Sequence, residues 1–138
     1  MFSRFAKLTT MVATFALAAF VLFPVVSSGQ GKDRLERGRK LYVQYCASCH
    51  GMDAKGSGPV AADLKTAPTN LTTIAQRHGG KFNPIHVQLN INGENDVVAH
   101  GTKDMPVWGA YFRNTKGQSV ATLNIYALTE YLEAVQLK

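Results

Sequence analysis

Cysteine is scarce in this chain: two of its 138 residues are cysteine, and they lie three positions apart. This scarcity excludes a small secreted fold held together by a disulfide framework. The sequence also lacks internal repeats, low-complexity stretches and a linker long enough to separate two domains. Its 46% of hydrophobic residues is ordinary for a globular protein. We therefore expect one folded domain with a packed core, in which two closely spaced cysteines are available for chemistry.

Residues 1–29 have the pattern of an export signal. Arg4 and Lys7 form a basic start, followed by an almost wholly apolar run and then by small residues that suit cleavage. An uncleaved membrane anchor through residues 8–26 is the alternative, although the run is slightly short for a bilayer span of about twenty residues. In either case residues 30–138 form a domain outside the cytoplasmic membrane. The sequence thus predicts a periplasmic protein, either free or anchored to the outer face of that membrane.

The remaining charge is modest. Removing the signal lowers the number of basic residues from 15 to 13 against 9 acidic ones, so the net charge falls from +6 to about +4. Together with the lack of a binding motif, this balance argues against a nucleic-acid partner. Five basic residues lie between Lys32 and Lys40. Such a cluster is most often a solvated helix face, and the alternative is a docking surface for an acidic partner protein.

Apolar periodicity predicts a helix at each end of the domain. In residues 33–45 the apolar side chains share one helical face, and Asp33 and Glu36 are placed as a capping box at its start. The last helix has the clearest pattern, with apolar residues at three- and four-residue spacing. They are Val120, Leu123, Ala127, Leu128, Tyr131, Leu132 and Val135.

The segments between these two helices have weaker patterns. A short helix is predicted from residue 71 to residue 78, with Asn70 as its cap and two glycines after it. Residues 97–117 show no periodicity and are predicted to form an extended loop.

Residues 85–91 are ambiguous, because apolar and polar residues alternate there as they do in a strand. Against this, Asn83 and Pro84 make a good helix start, and Gly93 makes a good helix stop. We predict a helix, since the sequence offers no second strand with which this one would pair.

The motif with chemical meaning is the sequence Cys-Ala-Ser-Cys-His at positions 46–50. Two thiols at this spacing can each form a thioether with one of the two vinyl groups of a haem, and the histidine that follows is then held beneath the iron. The predicted cofactor is one covalently attached haem c, bound through Cys46 and Cys49, with His50 as a ligand of its iron.

Two other sites are compatible with part of this motif. A zinc site would need further ligands, and only three histidines remain outside the motif, with no second cysteine pair. A thioredoxin-type dithiol follows a strand and opens a helix, whereas here a predicted helix leads into the motif. Haem attachment is the interpretation that we prefer.

A second axial ligand is sought downstream of the motif. Met105, followed by a proline, lies in a predicted loop 55 residues after His50, and a loop can place a thioether over the opposite face of a haem. The rival ligands are His78, His86 and His100, any of which would give iron with two histidine ligands. We favour Met105.

With these residues in view, the sequence resembles the class I c-type cytochromes, the small bacterial monohaem type, from residue 33 to the C-terminus. The resemblance is carried by Gly38, Tyr42, the motif at 46–50, Gly56 to Pro59, His100-Gly101, Met105 to Gly109, and Tyr131-Leu132 in the last helix. It implies an all-α cytochrome c fold in which the N- and C-terminal helices cross, while short helices and loops wrap one covalent haem.

The resemblance also implies particular contacts. The first and last helices would meet closely at Gly38, with Tyr131 packed near Tyr42. The carbonyl of Pro59 would accept a hydrogen bond from Nδ1 of His50, which would orient the imidazole and make it a stronger donor.

The ligand set points to a function. Iron ligated by His50 and Met105 has no vacant position, so we expect an electron carrier and not an enzyme. It would transfer single electrons between periplasmic or membrane redox proteins, such as an oxidase, a reductase or a dehydrogenase. One alternative is an electron-transfer subunit of a larger dehydrogenase or oxidase complex. Another is a haem enzyme or sensor with open iron, in which Met105 only packs.

Overall fold

The computed structural model describes residues 29–94 and 105–138. Within these residues the secondary structure is helical. The α-helices are α1 (Gly29–Tyr45), α2 (Ala47–His50), α3 (Ile74–Arg77), α4 (Pro84–Asn92), α5 (Trp108–Lys116) and α6 (Gln118–Ala134), with 3-10 turns at Ala61–Asp63 and Leu71–Thr73. The described residues contain no strand, so the prediction of an all-α fold is confirmed.

Two predictions fall largely or wholly outside the described residues. The signal or anchor predicted for residues 1–29 lies outside them except for Gly29, and His100 lies outside them altogether. Both therefore stay predictions. No helix in the described ranges is long and apolar enough to cross a membrane.

Helices α1 and α6 cross in direct contact at Gly38. A Cβ built on this glycine would lie 2.0 Å from the carbonyl oxygen of Ala127 and 2.9 Å from the Cβ of Tyr131. One turn further along α1, the Tyr42 ring packs against Tyr131 with 5.2 Å between ring centroids. Both contacts that the resemblance implies are confirmed.

Polar contacts flank this crossing. Arg37 donates to the Asn124 side-chain oxygen from Nε at 3.2 Å and from Nη2 at 2.7 Å. Arg34 forms an ion pair with Glu130 at 3.1 Å. Two of the five basic residues in the predicted cluster are therefore engaged with α6, which leaves less free positive charge on α1 than the sequence suggests.

The predicted capping box of α1 is wrong. The helix includes Gly29, so Asp33 lies inside it and not at its N-cap. Glu36 accepts hydrogen bonds at 2.9 Å from both Nε and Nη2 of Arg39, one turn later. An arginine at this spacing offers the carboxylate two parallel donors, so Glu36 bonds to Arg39 and not to the backbone at the start of the helix.

Helix α4 confirms the helical interpretation of the ambiguous segment. The Asn83 side chain accepts a backbone hydrogen bond at 3.1 Å in the first turn, and Gly93 ends the helix with a left-handed φ of +77°. Val87 and Ile91, four residues apart, are buried at 4% and 7% exposure, whereas Ile85 is 67% exposed. A strand would have put all three on one face, so the burial pattern follows the helical period.

The predicted helix at 71–78 is present, but its first turn is a 3-10 helix and not an α-helix. It opens as the 3-10 turn Leu71–Thr73 and continues as α3. Asn70 caps it as expected, since its side-chain oxygen accepts hydrogen bonds from the backbone N–H and the hydroxyl of Thr72 at 2.9 and 2.7 Å.

The loop predicted for residues 97–117 is wrong in its second half, where α5 lies, while residues 97–104 lie outside the described residues. Trp108 and Phe112 are one turn apart on α5 and stack with ring centroids 6.1 Å apart. Phe112 is buried in the same core cluster as Ala121 of α6. Because only Gly109 and Phe112 of this helix are buried, no apolar repeat was visible in the sequence.

The buried face of α6 differs in part from the predicted one. Leu123 is 53% exposed and Val120 is 36% exposed, while Asn124 and Thr129 are buried. Asn124 is paired with Arg37, and the Thr129 hydroxyl donates to the Ile125 carbonyl at 2.8 Å. Because these polar groups are hydrogen-bonded, they tolerate burial that an apolar pattern does not anticipate.

Candidate functional site

The five-residue motif lies where α1 ends. Cys46 separates α1 from the single turn of α2, and the amide of His50 donates to the Cys46 carbonyl at 2.9 Å. Residues three and four apart on a helical turn share a side. This geometry brings Cys46, Cys49 and His50 together, and all three line the same cavity.

Two cavities of ≈ 200 and ≈ 230 Å³ adjoin the motif. They share five lining residues and so form one cleft. The shared residues are Cys46, His50, Thr69, Met105 and Trp108. The rest of the wall is mostly apolar and includes Leu71, Ile74, Val87, Ile91, Leu128 and Leu132.

His50 is buried in this cleft at 7% exposure. Its Nδ1 lies 3.0 Å from the carbonyl oxygen of Thr69. A carbonyl can only accept, so this hydrogen bond requires a proton on Nδ1, and the neutral imidazole then carries none on Nε2. An imidazole in this tautomer is prepared to ligate a metal through Nε2.

The partner of His50 corrects one expectation, because the resemblance implied the carbonyl of Pro59 and the structure gives that of Thr69. The neighbours of Pro59 hold it elsewhere. Gly58 donates its N–H to the Cys49 carbonyl at 3.0 Å, and Val60 donates to the Ser48 carbonyl at 3.1 Å. These bonds fix Pro59, which is exposed, against the backbone of α2 and not against the imidazole.

Thr69 is a residue of the candidate site that the sequence alone did not indicate. Its segment is held next to the loop that follows the motif: a Cβ on Gly56 would lie 2.1 Å from the Pro68 carbonyl oxygen. The Leu71 N–H donates to the Ala54 carbonyl at 2.8 Å. The available signal was Asn70, because an asparagine at a helix N-cap marks the start of a turn directly after Thr69.

The two thiols fit a haem that is attached covalently. Cys46 and Cys49 are both free. Burial, with a smaller effect of Cys49, raises the pKa of the Cys46 thiol to about 12. A thioredoxin-type dithiol works through a lowered thiol pKa, so this shift argues against that alternative. Two free thiols and a buried imidazole on one cleft are the donor set that a haem c requires.

Tyr42 is hydrogen-bonded to the residue that directly follows the motif. Its side chain is fully buried, and its hydroxyl donates to the carbonyl of Gly51 at 2.6 Å. Burial raises the pKa of Tyr42 well above its ordinary value, so the hydroxyl stays protonated and keeps this bond. Gly51 has a φ of +81°, which a side chain rarely adopts, and it ends α2 directly after His50. A buried side chain of the core therefore holds the backbone at Gly51, where the chain leaves the motif.

Met105 lies in the wall of both cavities. His78 and His86 line only the first cavity, and their rings lie 5.1 Å apart. The structure thus brings Met105 into the same cleft as His50, and it also places the two described rival histidines in the wall of the first cavity, which His50 lines as well. Among the described residues, no group of three or more His, Cys, Asp or Glu side chains is arranged to hold a metal ion.

Two of the four side chains of an aromatic cluster, Tyr45 and Trp108, line the cleft. Tyr45, Trp108, Tyr111 and Phe112 pack with ring centroids between 5.2 and 6.1 Å apart. Trp108 lines both cavities and is also stacked on Phe112, so it belongs both to the core and to the cleft wall.

A family model described as cytochrome c oxidase, cbb3-type, subunit III matches residues 33–121, which is more than half of the chain. The matched range contains the motif, Thr69 and Met105. No curated protein and no solved structure matches the chain significantly.

Proposed function

Because this chain belongs to the cytochrome c oxidase, cbb3-type, subunit III family, which is a family of c-type cytochrome domains, we propose that it carries single electrons between redox proteins outside the cytoplasmic membrane. Haem-based electron transfer and covalently attached haem c follow from the family. The proposal adds thioether bonds at Cys46 and Cys49 and axial ligation by His50 and Met105.

Each of these residues has a distinct role. When bound, the haem supplies an iron that gains and loses one electron. The two cysteines hold the group in a domain too small to bury it completely. His50 is oriented by its hydrogen bond to the Thr69 carbonyl, which strengthens it as a donor. Met105 contributes a soft thioether, which favours Fe(II) and raises the reduction potential.

The observation that carries the proposal is the shared cleft. Cys46, His50 and Met105 line both cavities around one mostly apolar volume. Apolar walls exclude water and disfavour the extra charge of Fe(III). A site with both axial positions filled leaves no open coordination position for substrate, so outer-sphere electron transfer is the chemistry that the site suits.

The ligand set is tested by recording the optical spectrum of the reduced holoprotein with and without carbon monoxide. For the native protein we expect a low-spin spectrum that carbon monoxide leaves unchanged. The Met105→Ala protein should form a carbonyl adduct rapidly, and its reduction potential without carbon monoxide should be lower than that of the native protein. His78→Ala and His86→Ala are the matched controls and should behave as the native protein does. A Met105→Ala variant that still excludes carbon monoxide would refute the assignment. An adduct in the native protein would favour a sensor or an enzyme.

A second candidate function is suggested by the family description. A protein similar to subunit III of an oxidase would work as an electron-transfer subunit of a larger complex, and not as a free carrier. Native electrophoresis of gently solubilised source membranes distinguishes the two. Covalent haem that migrates at the size of this chain alone supports the carrier, whereas haem in a large oxidase-containing band supports the subunit.

The proposed location outside the cytoplasmic membrane has its own test. The intact mass of the mature holoprotein should lack the segment 1–29 if the predicted signal is cleaved. A full-length mass in the membrane fraction would support the anchor through residues 8–26.

A further inference from the structure

The C-terminal tail after α6 is bonded to the segment that follows Thr69. The side-chain oxygen of Gln136 accepts a hydrogen bond from the Ala75 N–H at 2.9 Å. Its side-chain nitrogen donates to the Leu71 carbonyl at 2.8 Å and to the Leu132 carbonyl at 2.6 Å. One amide group therefore joins α6, the 3-10 turn and the first turn of α3.

The next residue adds a backbone bond to the same turn. The N–H of Leu137 donates to the Thr72 carbonyl at 2.8 Å. The tail thus contacts three residues of the 71–75 segment, although more than sixty residues separate the two in sequence.

This turn lies two residues after Thr69 and restrains the backbone that carries its carbonyl. Both backbone polar groups of Leu71 are hydrogen-bonded, because its N–H donates to the Ala54 carbonyl and its carbonyl accepts from Gln136. Leu71 is only two residues from Thr69, whose carbonyl accepts the hydrogen bond from His50. Movement of the turn would therefore lengthen the bond to the imidazole.

We propose that Gln136 is a positioning residue for His50, which acts through the turn to hold the Thr69 carbonyl against Nδ1 and so lowers the reduction potential of the haem. The inference rests on the proposed ligation of the iron by His50. A hydrogen bond from Nδ1 to a carbonyl makes the imidazole a stronger donor, and a stronger donor stabilises Fe(III) relative to Fe(II). Loss of Gln136 should accordingly raise the potential.

The sign of this shift separates positioning from general loosening of the fold. Leu71 and Ile74, which belong to the held segment, also line the cleft. If the segment merely loosened and admitted water, the water would stabilise the more highly charged Fe(III) and lower the potential. A raised potential therefore has no explanation in simple structural damage.

The test compares Gln136→Met with Gln76→Met in the holoprotein. Methionine matches glutamine in length but removes its hydrogen bonds, and Gln76 is an exposed residue of α3. In Gln136→Met we expect a raised reduction potential. We also expect the His50 Nδ1–H of the reduced protein to exchange with solvent about tenfold faster, as measured by NMR, because a restraining hydrogen bond is lost. Gln76→Met should change neither quantity.

A second variant keeps the test decisive if Gln136→Met folds poorly. Leu137→Pro removes the N–H that reaches Thr72 and also restricts the backbone of Gln136, so it should produce a shift of the same sign.

An unchanged or lowered potential in Gln136→Met, or an unchanged exchange rate of the His50 proton, would overturn the inference. A failure of the proposed ligation is distinguishable from this result. If His50 does not ligate the iron, its ring resonances will lack the large shifts caused by the haem in the native protein as well as in every variant.

Discussion

Replacing Gly38 with alanine would place a Cβ 2.0 Å from the carbonyl oxygen of Ala127, whereas Cβ atoms essentially never approach other atoms within 3.0 Å. The obstacle is backbone, so it cannot rotate away as a side chain would. Helices α1 and α6 would have to separate by about 1 Å at their crossing, since helices in direct contact have no spare space between them. That separation would disturb the Arg37–Asn124 hydrogen bonds on one side of the crossing.

Two effects of opposite sign set the magnitude. Overpacking a close contact costs about 1–3 kcal/mol, while alanine in place of glycine within a helix gains about 0.5–1 kcal/mol. Because a backbone clash places the overpacking at the upper end of its range, we expect a net loss of about 2 kcal/mol. For a domain of roughly one hundred residues, this corresponds to a melting temperature lowered by about 8 °C or more.

Thermal and guanidinium unfolding of the holoprotein, followed by circular dichroism, measures this loss. The matched control is Gly31→Ala in the same helix, where a Cβ meets nothing within 4 Å in the part of the chain that the structure describes. The control should leave stability unchanged or raise it by up to about 1 kcal/mol. If Gly38→Ala proves as stable as Gly31→Ala, the close crossing of the two helices is refuted.

Two further predictions concern buried and capping hydrogen bonds. Tyr42→Phe removes the donor to the Gly51 carbonyl and should cost about 1–3 kcal/mol at neutral pH, measured by guanidinium unfolding. Because burial raises the pKa of Tyr42 in the folded state, the Tyr42 hydroxyl contributes its full share of the free energy of unfolding below about pH 10, and this contribution is lost as the pH rises above that value. Above that pH, Tyr42→Phe should therefore lose less stability than the native protein. Equal losses would contradict the burial argument. Asn83→Ala removes the cap of α4 and should cost about 1 kcal/mol, with faster amide exchange in the first turn, while the exposed Asn114→Ala should cost far less; equal losses would refute the cap.

Local signals account for what the sequence predicted correctly. The motif at 46–50 needs only its own spacing to indicate haem attachment. Asn70 and Asn83 are followed by the turns that they cap, and Gly93 ends the helix that Pro84 begins. Such signals act over a few residues, so they can be seen without knowledge of the fold.

The implied crossing at Gly38 was also available from the sequence, but through the resemblance and not through a local pattern. The same resemblance failed for Pro59. A glycine at a helix crossing is identified by its place in a long helix, whereas the carbonyl that meets His50 depends on the path of a loop, and loops vary in length and conformation among related proteins.

Tertiary structure alone decided the remaining features. Helix α5 forms because Phe112 packs into the core beside α6, although its own sequence shows no period. Asn124 is buried because Arg37, 87 residues away, supplies its hydrogen bonds. Thr69 meets His50 because the loop after the motif returns there, and the tail at Gln136 bonds to the turn that follows Thr69. The sequence by itself determined the cofactor motif and both ends of α4, because those depend on neighbouring residues. The partner of His50 required the folded chain, because it is brought to the imidazole only by contacts between distant segments.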